Sequence, residues 1–379
     1  MGIKKLRISL NKKIDVNNLL LVLYCCTLIL GILRDSYFPH PGFSGLRLLV
    51  FLLMTVISII GVRHSYYQYT ILGLGILVLL FGLFYFPKQQ VRYLYIILVF
   101  FTMSTISPKK IIFYSTSVLA GCSLLLYLSS TLGIIQNYII YRGSTVRQSL
   151  GTNYPLTFAT YIFFMWAGIV FLINPNRLKD KIIIIFLMFL SAFLVYRLTG
   201  GRNFSIAICL LSIVLFIKDK EKNLRNWFKI ITPLVGMMSI LSVFIVKLIP
   251  SSTSFYKELN YLFSYRLELQ NLLMKYYKPK LFGQFIPQFA ADSKHSLFID
   301  NGYIRLIYLA GILFAVLFFI IVSVQIAFWI TEDQFKILTI ILIILITGIV
   351  QGSIISVSQN IFLPLFCTTF KNLSLTKYK

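Results

Sequence analysis

The chain has 379 residues, 58% of them hydrophobic and only 12% charged, with a mean hydropathy of +0.85. Ordinary globular domains carry about 25% charged residues, so a soluble fold is excluded. Lys and Arg outnumber Asp and Glu by 36 to 11; in a soluble chain that would suggest nucleic acid, but here membrane topology accounts for most of it and no nucleic-acid partner is expected.

Twelve apolar segments are predicted, at about 18–33, 46–62, 69–86, 93–107, 111–134, 155–173, 182–198, 203–217, 229–249, 303–330, 335–349 and 359–370. The longer ones can each cross a hydrocarbon core of about 30 Å as a helix. Their continuous apolarity excludes a barrel, whose strands alternate. The last two are the weakest, and 359–370 is short for a crossing. The expected fold is therefore all-α and polytopic, with about 11–12 transmembrane helices in a single membrane domain over 1–379. The first run ends at Arg34-Asp35 without a small-residue cleavage site, so it reads as a span rather than a signal peptide.

The positive-inside bias sets the orientation. With the N-terminus in the cytoplasm, the inner side holds the lysine-rich stretches around Lys4, Lys12, Lys109, Arg177, Lys218 and Lys336. The outer side holds pairs: Arg34 and Arg47, Lys88 and Arg92, Arg142 and Arg147, Arg197 and Arg202. This places one large loop, 250–302, outside. Within it, SFYKELNYLFSYRLELQNLLMKYY has Leu259, Leu262, Leu269 and Leu273 near one face at helical spacing, which predicts an amphipathic helix over about 254–277. Such a helix would lie on the membrane surface or cap a cavity.

All five cysteines lie in or beside apolar runs and read as small hydrophobes, with no disulfide framework. Three histidines and no CxxC or HExxH spacing give no expectation of a metal or cofactor. None of the 11 acidic residues falls in the middle of a predicted span, which argues against cation-coupled transport, where a carboxylate near mid-membrane is usual.

The arginines carry more information. Arg34, Arg47 and Arg92 read as span-end residues that reach to lipid head groups. Arg142 in YRGSTVRQSLGTNYP, Arg202 in LTGGRN and Arg266 in the long loop sit beside glycines or at helix mouths. A guanidinium fork suits phosphate oxygens, and adjacent glycines could bring backbone N–H groups to an anion. These residues together predict a polyanion site on the outer face. Candidate general bases are Asp300, His295, Asp292 and Glu268. Asp300 precedes Asn301-Gly302-Tyr303 at a helix start, where it could equally serve as an N-cap.

Four passages resemble the Wzy-type polysaccharide repeat-unit polymerases, relatives of the O-antigen ligases. They are Arg142 through Gly151-Thr152-Asn153-Tyr154-Pro155; Leu198-Thr199-Gly200-Gly201-Arg202-Asn203, similar to a Thr-Gly-Ser-Arg signature with glycine at 201; Tyr265-Arg266 followed by Leu281-Phe282-Gly283; and Asp300-Asn301-Gly302-Tyr303 with Gly311. The resemblance covers roughly 110–370. It departs where the ligases carry a catalytic histidine, a place held here by Asp300 with His295 five residues earlier.

The resemblance implies a bacterial inner-membrane enzyme that joins oligosaccharide repeats carried on undecaprenyl pyrophosphate. Arg142, Arg202 and Arg266 would bind the donor pyrophosphate, supported by Arg147 and Arg305. Asp300, or His295 in its place, would take the proton of the acceptor hydroxyl, without metal or cofactor. Tyr154, Tyr265 and Tyr303 would stack on sugars or, equally, anchor the chain at the membrane interface. Membrane lipids, a flippase and a chain-length regulator would be its partners. A ligase and a lipid-linked oligosaccharide flippase remain the alternatives.

Overall fold

A computed structural model describes residues 15–38, 42–142, 145–219, 221–263, 265–287 and 298–374. The chain is helical almost throughout. The first five helices are α1 (Val16–Arg34), α2 (Phe43–Gly61), α3 (Tyr66–Tyr85), α4 (Pro87–Met103) and α5 (Pro108–Thr131). After a short hairpin of β1 (Ile139–Arg142) and β2 (Thr145–Gln148) come α6 (Pro155–Leu172), α7 (Leu178–Thr199) and α8 (Arg202–Leu211), which tightens into a 3-10 turn at Ser212–Phe216. Then follow α9 (Lys222–Leu248), α10 (Ser254–Leu262), α11 (Arg266–Tyr276), α12 (Gly302–Arg305), α13 (Ile312–Thr331) and α14 (Phe335–Gly348).

Helix starts follow local chemistry. The Asp15 carboxylate accepts from the Asn17 N–H at 3.1 Å to open α1, and Ser65 with Gln68 forms a capping box at α3. Proline opens α4, α5 and α6, where its missing N–H would have had no partner in any case.

Among the described residues, eight helices are long and apolar enough to cross a membrane; Arg202–Phe216 and Phe335–Gly348 are shorter apolar helices. Their outward faces confirm the solvent they are built for. Leu49 is 60% exposed and Ile60 81% on α2, and Phe186 is 66% exposed on α7. A water-soluble monomer does not display apolar surface on this scale. The chain is a polytopic membrane protein. Its centre is α4, where Ile96 to Phe101 are all buried, so no side of this helix faces lipid.

Three predicted segments take a different form. The stretch 254–277 is two helices, α10 and α11, because Tyr265 between them turns left-handed at φ 65°. The run 303–330 breaks after α12 into a π-turn at Leu306–Ala310, and α13 starts afresh after Gly311 at φ 104°. The run 359–370 enters a 3-10 stretch, Leu363–Ser374, rather than an α-helical span, and residues 361–367 are buried. Hydropathy sees none of this: the run through Leu306–Ala310 stays apolar, and the mixed polar and apolar pattern of 254–277 continues on both sides of Tyr265. The hairpin at 139–148 is also absent from the sequence reading; Ile139 pairs with Gln148 and Arg142 with Thr145.

Irregular backbone inside an apolar bundle needs internal partners. At 350–362 Asn360 supplies them: its amide donates to the Ile354 carbonyl at 2.8 Å and its Oδ1 accepts from Phe362 N–H at 3.1 Å. At the Gly311 break, Ile312 and Leu313 N–H groups donate to the carbonyls of Lys280 and Leu281 at 3.0 and 3.2 Å. Gln90 donates to the Leu309 carbonyl at 2.7 Å.

The helix ends fall into two sets. One end of the bundle holds the Arg225–Asp333 ion pair and Lys336, whose N–H meets Asp219 at 2.9 Å. The other end gathers the C-terminus of α1, the hairpin, the α7–α8 junction, α10, α11 and the segment after α14. All the cavities discussed below open there.

Candidate functional site

The backbone at this end is stitched before any side chain acts. Residues 35–37 run beside 151–153: Tyr37 N–H donates to the Gly151 carbonyl and Asn153 N–H to the Asp35 carbonyl, both at 3.0 Å. Asn153 also caps the end of α1 through a 3.2 Å bond from its amide to the Arg34 carbonyl. Asn153 therefore fixes Arg34 and Asp35 against the mouth of α6.

The Thr199-Gly200-Gly201-Arg202 turn has a different purpose from the one its glycines suggest. Its amides are already engaged: Gly200 N–H donates to Tyr196 O at 2.9 Å, Gly201 N–H to Thr199 Oγ1 at 3.2 Å, and Arg202 N–H to Gly200 O at 3.0 Å. The expected N–H nest for an anion is therefore not formed here. Gly200 instead ends α7 at φ 65°, and a Cβ on it would lie 2.7 Å from Arg147 Nε. The glycine is the seat of an arginine delivered by the hairpin. The same device recurs twice. A Cβ at Gly352 would lie 2.7 Å from Arg305 Cδ, and one at Gly31 would lie 2.9 Å from Arg47 Cζ and 2.6 Å from Ser358 Cβ.

These seated arginines line contiguous spaces. A narrow cleft of about 40 Å³ is lined by Arg147, Arg202 and Arg266, with no carboxylate in its wall among the described residues. Beside it, and sharing Leu156, opens a cavity of about 830 Å³ lined by Arg34, Arg47, Arg92 and Arg305 with Asp35 and Asp300. A third, mostly apolar cleft runs between α9 and α11, past Ile245, Leu267 and Leu273, and has Arg266 and Asp300 in its wall.

Asp300 lines the large cavity and the apolar cleft, and meets the arginine cleft through Arg266. Its Oδ2 accepts from Arg266 Nε at 2.5 Å, and both side chains are largely buried. The N-cap role open to it from sequence belongs to Asn301, whose Oδ1 accepts from Tyr303 and Ile304 N–H at 2.9 and 3.1 Å. Asn301 also donates to Ser242 Oγ at 3.1 Å, and the Tyr303 hydroxyl donates to Leu345 O at 2.7 Å. The rest of the Asp300-Asn301-Gly302-Tyr303 passage is thus scaffold, and Asp300 alone is left to the cavity. Arg305 donates through Nε to the Ile299 carbonyl, with its guanidinium 6.0 Å from the Phe298 ring.

Among the described residues, Asp35 and Asp300 are the carboxylates of this end that form ion pairs, with Arg34 and Arg266. Asp35 Oδ1 takes Arg34 at 2.8 Å and its Oδ2 takes Ser358 at 3.0 Å. Among the described residues, Arg47, Arg92, Arg202 and Arg305 have no carboxylate within ion-pairing distance. Arg47 is the extreme case. It is 2% exposed, its Nε and Nη2 have no hydrogen-bond partner, and it rests on the Tyr95 and Phe51 rings at 5.0 and 5.6 Å. Cation–π contact contributes about 2 kcal/mol at best, less than the several kcal/mol needed to desolvate a guanidinium. The end of the bundle is therefore built with uncompensated positive charge facing space of ligand size.

Of the residues expected from sequence, Arg202, Arg266 and Arg147 come together in the cleft, and Asp300 and Arg305 in the adjoining cavity. Arg142 ends β1, and its side chain lies outside the described residues, as do His295 and Asp292. Glu268 is exposed and lines none of these spaces. Of the three tyrosines, only Tyr154 lines the large cavity; Tyr303 is buried under Leu345, and Tyr265 is the exposed hinge between α10 and α11. Arg197 points outward from α7, as a head-group anchor would.

Arg34, Arg47 and Arg92 are corrections. Sequence reading made them lipid anchors, whereas all three line the cavity. No signal in their immediate sequence distinguishes them, because the features that seat Arg47 are Gly31 on α1 and Ser358 far along the chain.

Compared with known proteins, the chain matches no family model, and no curated protein matches it in sequence.

Proposed function

We propose that this protein is a membrane glycosyltransferase that polymerises oligosaccharide repeats carried on undecaprenyl pyrophosphate, at the outer leaflet of a bacterial inner membrane. The observation that carries the reading is the convergence of Arg147, Arg202 and Arg266 on one cleft, with Arg266 bonded to the Asp300 carboxylate, which lines both a polar cavity and an apolar groove. The Wzy-type resemblance agrees with it. In this reading the N-terminus is cytoplasmic. The eight long helices, together with α4, the Arg202–Phe216 helix and α14, make eleven crossings, and the arginine-lined end faces outward.

Each space has a task. The arginine cleft holds the donor pyrophosphate, with Arg142 of the hairpin and Arg305 in support. The apolar groove beside it takes the start of the prenyl chain, and the glycan lies in the large cavity. An acceptor sugar hydroxyl attacks the anomeric carbon of the donor. A new C–O bond forms as the C–O bond to pyrophosphate breaks, and the lipid pyrophosphate leaves with the electron pair. Asp300 accepts the hydroxyl proton, held in position by Arg266 on Oδ2. Arginines that already face the leaving group need no reorganisation as its charge develops.

The test is reconstitution in proteoliposomes with a defined lipid-linked repeat. A ladder of lengthened lipid-linked glycans is expected from wild type and none from Arg266→Ala, with both proteins equally folded. Wild-type protein that yields no ladder but moves a finished glycan to a different acceptor, or only across the bilayer, would refute polymerisation in favour of a ligase or a flippase.

A further inference from the structure

The donor pyrophosphate accounts for the cleft of Arg147, Arg202 and Arg266. It does not account for Arg47. That guanidinium lies in the wall of the large cavity, is 2% exposed, and has two nitrogens with no hydrogen-bond partner among the described residues. The nearby Asp35 is shared: Arg34 ion-pairs with the same carboxylate, so two guanidiniums face one negative charge. Nor is the position accidental. Gly31 is the residue that admits it, because any side chain there would run into the guanidinium and Ser358 together.

The cavity is also of the wrong character for a second lipid head. At about 830 Å³ it is far larger than a lone anion requires. Its walls offer amides and hydroxyls from Asn153, Gln351, Ser353 and Gln359, and aromatic faces from Tyr138 and Tyr154. That mixture suits sugar hydroxyls and sugar faces. The apolar groove fit for a prenyl chain opens on the Arg266 side instead. An anion reaching Arg47 would therefore belong to the glycan and not to its carrier.

We infer that the large cavity is an acidic-sugar subsite, in which Arg47 ion-pairs with a carboxylate borne by the repeat unit. This deepens the polymerase reading and rests on it for the claim that the ligand is a glycan. The subsite would make the protein selective for repeats containing a uronic acid or similarly carboxylated sugar, because a neutral repeat leaves the buried charge uncompensated.

Binding to the purified full-length protein in micelles decides the matter without turnover. The probes are a tetrasaccharide of alternating glucuronate and N-acetylglucosamine, neutral chitotetraose, and inorganic pyrophosphate. Wild type is expected to bind the acidic tetrasaccharide about tenfold or more tighter than the neutral one, the worth of one charge-assisted contact. Arg47→Met should abolish that preference and leave pyrophosphate affinity unchanged. Arg202→Ala should do the reverse. Arg47→Gln is measured in parallel, so that a poorly folded variant does not decide the outcome. No acidic preference in wild type, a preference that survives both Arg47 variants, or loss of pyrophosphate rather than tetrasaccharide binding on changing Arg47 would each overturn the inference. Efficient lengthening of a neutral repeat would sink the subsite alone. Absence of lengthening with any repeat, alongside an Arg47-dependent acidic preference, would sink the polymerase reading alone.

Discussion

Replacing Gly200 with alanine tests whether the glycine turn exists to seat Arg147. Two costs are expected. The residue sits at φ 65°, and an L side chain in the left-handed region costs about 1–2 kcal/mol. The added Cβ would also lie 2.7 Å from Arg147 Nε and 3.0 Å from both Cδ and Cγ. These are the middle of the side chain and not its tip, so the arginine must leave its rotamer as a whole. Overpacking of this kind costs about 1–3 kcal/mol. In an Arg147→Ala background the second cost vanishes and the first remains. A double-mutant cycle by equilibrium unfolding in mixed micelles should therefore show a coupling of about 1–3 kcal/mol, with Gly200→Ala milder when Arg147 is absent. Pyrophosphate affinity should fall in both single variants and fall no further in the double. Additivity to within about 0.5 kcal/mol would mean that the two residues do not touch, and the account of the turn would fail.

Asp300→Asn should reduce turnover by about 10²- to 10⁴-fold, the usual contribution of a general base, while pyrophosphate binding holds or tightens because the cleft becomes more positive. Arg266→Ala should instead weaken pyrophosphate binding by about tenfold or more; similar binding defects in both variants would refute the division of roles. Gly311→Ala places a Cβ 2.4 Å from Gly283 N at φ 104°, so loss of more than about 3 kcal/mol is expected, seen as little monodisperse protein after extraction; a normal melting temperature would contradict the close approach. Burial holds His64, between α2 and α3, below the usual imidazole range. Its contribution to stability is present above about pH 6.5 and is lost as pH falls through the lowered value. Melting curves from pH 7 to 5 should decline more steeply for wild type than for His64→Gln, and parallel curves would refute this.

Hydropathy was enough to read the long helices α1, α2, α3, α5, α6 and α7, because lipid imposes a length and an apolar character that composition reports directly. It failed where the chain stays apolar but changes conformation. The run through Leu306–Ala310 looks like any other stretch of span, and only the contact of Gly311 with Gly283, distant in sequence, breaks it. Tyr265 turns left-handed without being a residue type that favours the turn, so nothing local announces the division of 254–277. The arginines divided on similar lines. Arg202 and Arg266 were legible because glycine or a polar loop surrounds them. Arg47, embedded in a leucine-rich helix start, was not, since its meaning depends on which helix lies opposite.

The splice at Gly311 has a mechanical consequence. Lys280 and Leu281 bond to Ile312 and Leu313, and Gln89 holds the Gln284 carbonyl at 2.9 Å, so the long connection is anchored partway along its course. The entropic benefit of shortening a loop is small, about 0.6 kcal/mol per halving; the benefit lies in transmission. The anchor stands between α11 and Asp300 along the chain. Side chains link them instead: Arg266 holds the carboxylate itself, and Gln270 of α11 and Asn301 both donate to Ser242 of α9, so a displacement of α11 would be felt there as a displacement of charge.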